Sequence, residues 1–241
     1  MNTLKLKLLA ASMFAFAAAA NAQTAPAPIA PIGLNSDPNN LPNNNAGTAG
    51  SSRDFYKASS STNDSYVGQS GAGQYAKVDQ TAGNGSGNSA DVYQISTTGG
   101  NNNATQTQNN NNFGSSSRNQ ARVDQLGSNS TSTQMQNGTG QFAYVLQDGT
   151  SDRNSAVQSQ SENSYSGYEY IKQSNSNNYA SQSQSGGDNN KAEIFQTGSG
   201  STTDQQQIGR LNQASTTQDG AASYSQIQQN GAQNRAFVTQ H

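Results

Sequence analysis

Apolar residues in the body of this chain do not cluster. They recur at every second position inside short units bounded by polar residues. Each unit places a polar residue, then Ala or Ser, then an aliphatic residue or Gln, then Gln, at i, i+2, i+4 and i+6. Asn88, Ala90, Val92 and Gln94 form one such set, Asn119, Ala121, Val123 and Gln125 another, and Asn190, Ala192, Ile194 and Gln196 a third. Gln141, Ala143, Val145, Gln147 and Ser201, Thr203, Gln205, Gln207 are variants with a different first residue. A period of two puts all four members on one face of a β-strand. The pattern therefore predicts seven-residue strands with an inward face of mixed apolar and amide character.

The closing glutamines stand at 80, 94, 108, 125, 136, 147, 160, 173, 184, 196, 207, 218, 229 and 240, after a weaker unit from Asn63 to Gln69. The last five are spaced by a strict 11 residues. Gly127, Gly138, Gly149, Gly198, Gly209, Gly220 and Gly231 each lie two residues beyond a closing glutamine, where a tight turn is expected to need positive φ. Two 11-residue half-coils make a 22-residue coil, the signature of a solenoid. About seven coils at about 4.8 Å each give a body on the order of 34 Å long.

The third slot alternates: Gln106, Val123, Gln134, Val145, Gln158, Ile171, Gln182, Ile194, Gln205, Thr216. Stacked coils would then carry glutamine over glutamine on one wall and aliphatic over aliphatic on the other, with side-chain amides hydrogen-bonded along the stack. One strand departs. Glu169 falls in an inward slot, where an unpaired charge is costly, and Tyr168, Tyr170 and Lys172 occupy the opposite parity. A bulge or register shift is expected there. The stretch Asn109 to Arg118 predicts a long loop.

Composition explains why amides are needed. Ser, Asn, Gln, Gly and Thr supply 137 of the 241 residues, while hydrophobic types make up 30%. Aliphatic burial alone cannot offset the ordering entropy of so polar a chain. Residues 1–22 read as a signal peptide: Lys5 and Lys7, an apolar run from Leu8 to Ala20, then Ala20-Asn21-Ala22 as the cleavage site. Cleavage would leave Gln23 first and a net charge of −4. Export to the cell surface follows, and near-neutral charge disfavours nucleic acid as a partner. All five prolines lie between Pro26 and Pro42, so residues 23–62 read as a disordered Asn/Pro/Ser-rich leader ahead of the repeats at 63–240.

Candidate chemistry is sparse. There is no cysteine, and the single histidine, His241, is terminal and has no partner near it in sequence. Gly83, Gly85 and Gly87 have no helix signalled after them, so they make a flexible loop, not a phosphate cradle. No enzyme, cofactor or metal site is expected. The cations Lys77, Arg122, Arg153, Lys172, Lys191, Arg210 and Arg235 are spread one per unit, as solvated outward positions. The tyrosines are expected on the outer faces of the sheets, and Asp148, Asp188 and Asp219 in turns.

Two tandem units carry a family resemblance. Ser201, Gln207, Gly209, Asn212, Ala214 and Gln218 fit the pattern S-x5-Q-x-G-x2-N-x-A-x3-Q, and Ser223, Gln229, Gly231, Asn234, Ala236 and Gln240 fit it again. The chain resembles the curlin family of bacterial amyloid-fibre subunits. The resemblance implies an all-β fold, a β-solenoid or cross-β stack of about seven strand–loop–strand repeats. It also implies self-association into extracellular curli-type fibres that support biofilm and adhesion. Partners would be a nucleator subunit, an outer-membrane secretion pore and periplasmic chaperones, with the leader in the place of the secretion-targeting segment. A major fibre subunit is favoured, because the terminal repeats keep the consensus. The alternatives are a minor nucleator, a monomeric β-solenoid that binds ice or polysaccharide, and a disordered matrix protein. The final unit reaches Gln240, so an uncapped end is expected there.

Overall fold

A computed structural model describes residues 63–83, 87–96, 100–110, 119–148, 153–161 and 166–241. The signal segment, the leader and the 111–118 part of the long loop lie outside them. The described residues contain no helix. The strands in chain order are β1 (Asp64–Ser70), β2 (Tyr75–Ala82), β3 (Asn88–Ile95), β4 (Asn103–Asn110), β5 (Asn119–Gln125), β6 (Thr131–Asn137), β7 (Phe142–Gln147) and β8 (Ser155–Gln160). They continue as β9 (Tyr168–Gln173), β10 (Tyr179–Ser185), β11 (Lys191–Gln196), β12 (Thr202–Arg210), β13 (Gln213–Gln218), β14 (Tyr224–Ala232) and β15 (Arg235–Gln240).

Successive strands alternate between two parallel sheets. Sheet A holds the eight odd-numbered strands and sheet B the seven even-numbered ones, each in chain order. Six full turns therefore carry the chain from β2 to β14. The register is the one the units dictate: Ala90 pairs with Ala121, Val92 with Val123, Gln94 with Gln125, and Gln182 with Gln205, Gln184 with Gln207. The molecule is a β-solenoid, because each strand buries its inward face only against the facing sheet and its neighbours in the stack.

The apolar core is narrow. Val92, Val123, Val145, Ile171 and Ile194 form a column in sheet A, packed with Ala104, Ala156 and Ala180 of sheet B. Glutamine columns flank it. Sheet B carries Gln106, Gln134, Gln158, Gln182 and Gln205 in its third slot, closed at the two ends of the sheet by Val78 and Ile227. Unlike walls are thus present as the alternation predicts.

Two expectations are corrected. The first concerns Glu169. Its strand neither bulges nor slips, because Glu169 pairs in register with Ala143 on one side and Ala192 on the other. Ile171 and Gln173 keep their columns, and the ladder holds the carboxyl inside. The second concerns the turns. Gly138, Gly209 and Gly231 have positive φ, but Gly127, Gly198 and Gly220 do not, and Gly149 lies outside the described residues. Gly198 is needed for space instead, since a Cβ there would lie 1.9 Å from the Gly220 carbonyl oxygen.

The recurrent left-handed residue sits elsewhere, directly before the first slot of a unit. Gly73, Asn129, Gly140, Arg153, Ser166, Asn177, Asn189, Gly200, Leu211, Ala222 and Gln233 all take positive φ there. Asn and Gly adopt this conformation cheaply, whereas an ordinary L-residue costs about 1–2 kcal/mol. Leu211→Asn is therefore expected to stabilise the fold by about 1 kcal/mol, read as a higher denaturant midpoint at unchanged m-value. A lower midpoint would show that the Leu211 side chain contributes more than its backbone costs.

Candidate functional site

The ordered chemistry of this molecule lies in its amide ladders. In the fourth slot of sheet A, each glutamine donates its Nε2–H to the Oε1 of the next: Gln69 to Gln94 (2.7 Å), Gln94 to Gln125 (2.7 Å), Gln125 to Gln147 (2.9 Å), Gln147 to Gln173 (2.9 Å). The series continues through Gln196, Gln218 and Gln240. In sheet B the fourth slot runs from Gln80 through Gln108, Gln136, Gln160, Gln184 and Gln207 to Gln229. The third slot of sheet B adds a shorter ladder, from Gln106 through Gln134, Gln158 and Gln182 to Gln205.

The second amide hydrogen crosses the core. Gln134 Nε2 donates to the Arg122 carbonyl (2.9 Å), Gln158 to Tyr144 (3.2 Å), Gln182 to Tyr170 (3.1 Å) and Gln205 to Glu193 (3.0 Å). Each buried glutamine thus uses both N–H groups, one along the stack and one across it, so its burial leaves no donor unmet. Every link along the stack has the same sense. The sheet A ladder begins at the Oε1 of Gln69 and finishes at the Nε2 of Gln240, whose one described acceptor is the Tyr224 carbonyl (2.9 Å).

Asparagine in the first slot ties the turns. Asn190 Oδ1 accepts the backbone N–H of Asn212 (3.0 Å), and Asn212 Oδ1 accepts that of Asn234 (3.1 Å). Asn212 Nδ2 in turn donates to the Gly231 carbonyl (3.0 Å). The left-handed residue just ahead directs the first-slot N–H inward, and the amide oxygen of the preceding coil receives it.

The twelve consensus residues fall into these roles. Ser201, Gln207, Asn212, Ala214 and Gln218 are buried, in β12, β13 and the turns before them, while Gly209 (φ 112°) passes so close to Gly231 that a Cβ would lie 1.9 Å from its carbonyl oxygen. Ser223, Gln229, Gly231, Asn234, Ala236 and Gln240 repeat the arrangement one coil on, in β14 and β15. Of these only Gln229 is fully buried, because no described element stacks beyond them. β14 pairs only with β12, and β15 only with β13.

The outward face of sheet A was legible only in outline. Tyrosines do lie there: Phe142 stacks on Tyr168 with ring centroids 5.2 Å apart, Tyr144 meets Tyr170 at 5.3 Å, and Tyr170 meets Phe195 at 5.4 Å. The expectation of solvated cations fails for Arg122. It is buried on this face, with its guanidinium forked on the Asp124 carboxylate at 2.9 and 3.0 Å, and the Tyr144 hydroxyl donates to the same carboxylate at 2.8 Å. Burial opposes the Arg122 charge, yet Asp124 more than restores it and the guanidinium is held above its ordinary value. By contrast Lys77, paired with Asp79 at 2.7 Å, is exposed.

His241 gains a neighbour that sequence distance hides, with Nδ1 3.5 Å from Asp219. Asp219 also accepts from Thr197 Oγ1 at 2.7 Å, and Asp148 from Ser174 Oγ, so these turn aspartates link adjacent coils. Glu169 is the one charged type in the core. Its carboxyl oxygens have no hydrogen-bond partner, and burial alone holds its pKa well above the ordinary glutamate value. Among the described residues no cluster of His, Cys, Asp and Glu is placed to hold a metal ion. No protein-family model, no curated protein and no solved structure matches this chain.

Proposed function

We propose that this chain is a structural subunit of an extracellular, curli-type amyloid fibre, as the major component, and that copies add end to end along the stacking axis. The observation that carries the reading is the pair of unbroken fourth-slot ladders. They span both sheets and share one polarity, so one end of the stack is an acceptor end and the other a donor end. Strands β14 and β15 at the donor end are paired on one side only. A strand edge of this kind is a template for another chain, and β1 and β2 of a second copy have the matching inward sequence. The tandem Ser-Gln-Gly-Asn-Ala-Gln units supply the family reading, and with it secretion through an outer-membrane pore, a nucleating partner subunit and a role in adhesion and biofilm.

Mature protein incubated in buffer is expected to form fibres with reflections near 4.7 and 10 Å, and a monomer that stays soluble would refute the proposal. Deleting Ser223 to His241 removes the donor end and is expected to slow dye-detected growth several-fold. Unchanged growth would remove β14 and β15 from the docking surface.

A further inference from the structure

The outward faces of the two sheets differ in a way their sequences do not require. On sheet B, the outward Thr105, Thr133, Val157 and Ser181 are half-buried and Met135 is 50% exposed, as expected of side chains shielded only by neighbouring strands. On sheet A, the outward Asp91 (3%), Arg122 (3%), Asp124 (1%), Tyr144 (1%), Tyr170 (3%) and Glu193 (3%) are closed off from solvent. The effect stops at β13, whose outward Gln213, Ser215 and Thr217 are half-buried again. At β1 the outward Tyr66 is less exposed than the inward Val67, at 45%.

No described element packs over β3 to β11 on this side. In a single chain the cover must then come from residues outside the described ones. The internal stretches of that kind are short and lie at strand ends: 84–86, 97–99, 111–118, 149–152 and 162–165. The segment ahead of β1 is long, and it joins sheet A directly at its edge strand. Its nearest apolar and charged residues are Arg53-Asp54-Phe55-Tyr56-Lys57, followed by the small polar run Ala58-Ser59-Ser60-Ser61-Thr62. Six extended residues, 58–63, reach about 20 Å. At about 4.8 Å per strand this is enough to fold back over β3, β5 and β7. Charge agrees: Asp64, Asp91, Arg122 and Asp124 make the first three strands of sheet A net acidic, whereas Arg53, Asp54 and Lys57 are net basic.

We infer that Arg53–Lys57 of the same chain lies across the outward face of sheet A, seating Phe55 and Tyr56 on the aromatic rows begun by Phe142 and Tyr144 and setting its basic ends beside Asp91 and Asp124. Part of the leader is thus a built-in cover for one face of the solenoid. This interaction belongs to the single folded chain and does not depend on fibre formation.

The absence of cysteine makes the test direct. The full chain carrying Tyr56→Cys and Gln120→Cys, oxidised at low protein concentration, is expected to form at least tenfold more intrachain disulfide than the pair Tyr56→Cys and Thr133→Cys, which faces out from sheet B. Ser89→Cys in place of Gln120→Cys repeats the measurement at a second point on sheet A. Adding Arg53→Glu and Lys57→Glu is expected to lower the yield. Equal yields on the two sheets, or no disulfide with either sheet A position, would overturn the inference. So would products that are only interchain, which would give the face to a second copy. Fibre formation can fail while this cross-link forms, and the reverse, so the two proposals are separable.

Discussion

Replacing Gln147 with alanine is expected to destabilise the folded chain by about 3–5 kcal/mol, more than any other single change considered for this fold. Gln147 sits mid-ladder. It accepts from Gln125 at 2.9 Å, donates to Gln173 at 2.9 Å, and donates across the core to the Thr131 carbonyl at 3.2 Å. Alanine removes all three bonds at once. It strands the Oε1 of Gln173 and one N–H of Gln125 in a site that water does not reach, at about 1–3 kcal/mol for each unmet group. The vacated volume adds a further cavity cost. Removing the outward Gln206, which accepts from Gln228 at 2.9 Å, is the control. Water replaces that bond, so Gln206→Ala is expected to fall within about 0.5 kcal/mol. Denaturant unfolding of the unassembled chain compares the two. Similar midpoints would mean that the ladder is decoration on a backbone-held stack.

The second large effect has the opposite sign. Glu169→Ala is expected to stabilise the chain by about 2–3 kcal/mol at neutral pH, since it removes a buried carboxyl without a partner and restores the residue found at Ala143 and Ala192. No cavity follows, because those neighbours already define an alanine-sized slot. The pH dependence fixes the mechanism. Burial raises the folded-state pKa of Glu169 above its unfolded value, so the folded chain keeps a proton that the unfolded chain gives up. Stability is then full below the unfolded value, near about 4.3, and falls as pH rises past it until the folded value is exceeded. Glu193, raised by burial and partly relieved by Lys191 at 2.9 Å, has the same sign and a smaller effect. Glu169→Ala should flatten most of the fall in denaturant midpoint between pH 4 and 8. A slope unchanged from the parent chain would place its source elsewhere.

Much of the fold was readable because a period of two has only one geometric meaning and the glutamines carry it without interruption. Gln94, Gln125, Gln147 and Gln173 occupy one column, as their spacing implies. The alternation of Gln with Val or Ile in the third slot likewise separates into two walls. The turns were less legible. Glycine marks a left-handed position only when side chains are excluded from it, and here Arg153, Leu211, Ala222 and Gln233 take that conformation. The ladders on either side fix the path of these turns, so local preference yields to the stack. Glu169 was misjudged for the same reason. A register shift would have displaced Ile171 and Gln173 as well, so the inward carboxyl is retained in its protonated form. The burial of Arg122 could not be read from its own unit, since what shields it is not a neighbour in sequence or in the sheet.

The direction of the bonds has a mechanical consequence. Backbone and glutamine hydrogen bonds both point along the stacking axis, and each coil is joined to the next by all of them together. Tension along that axis loads every bond at one junction in parallel, and failure requires them to break at once. Force applied sideways, at a single chain end, instead peels strands away one bond after another. A body built this way is strong in tension and weak against unzipping, and its weakest mechanical point is whichever terminal strand is left without a neighbour.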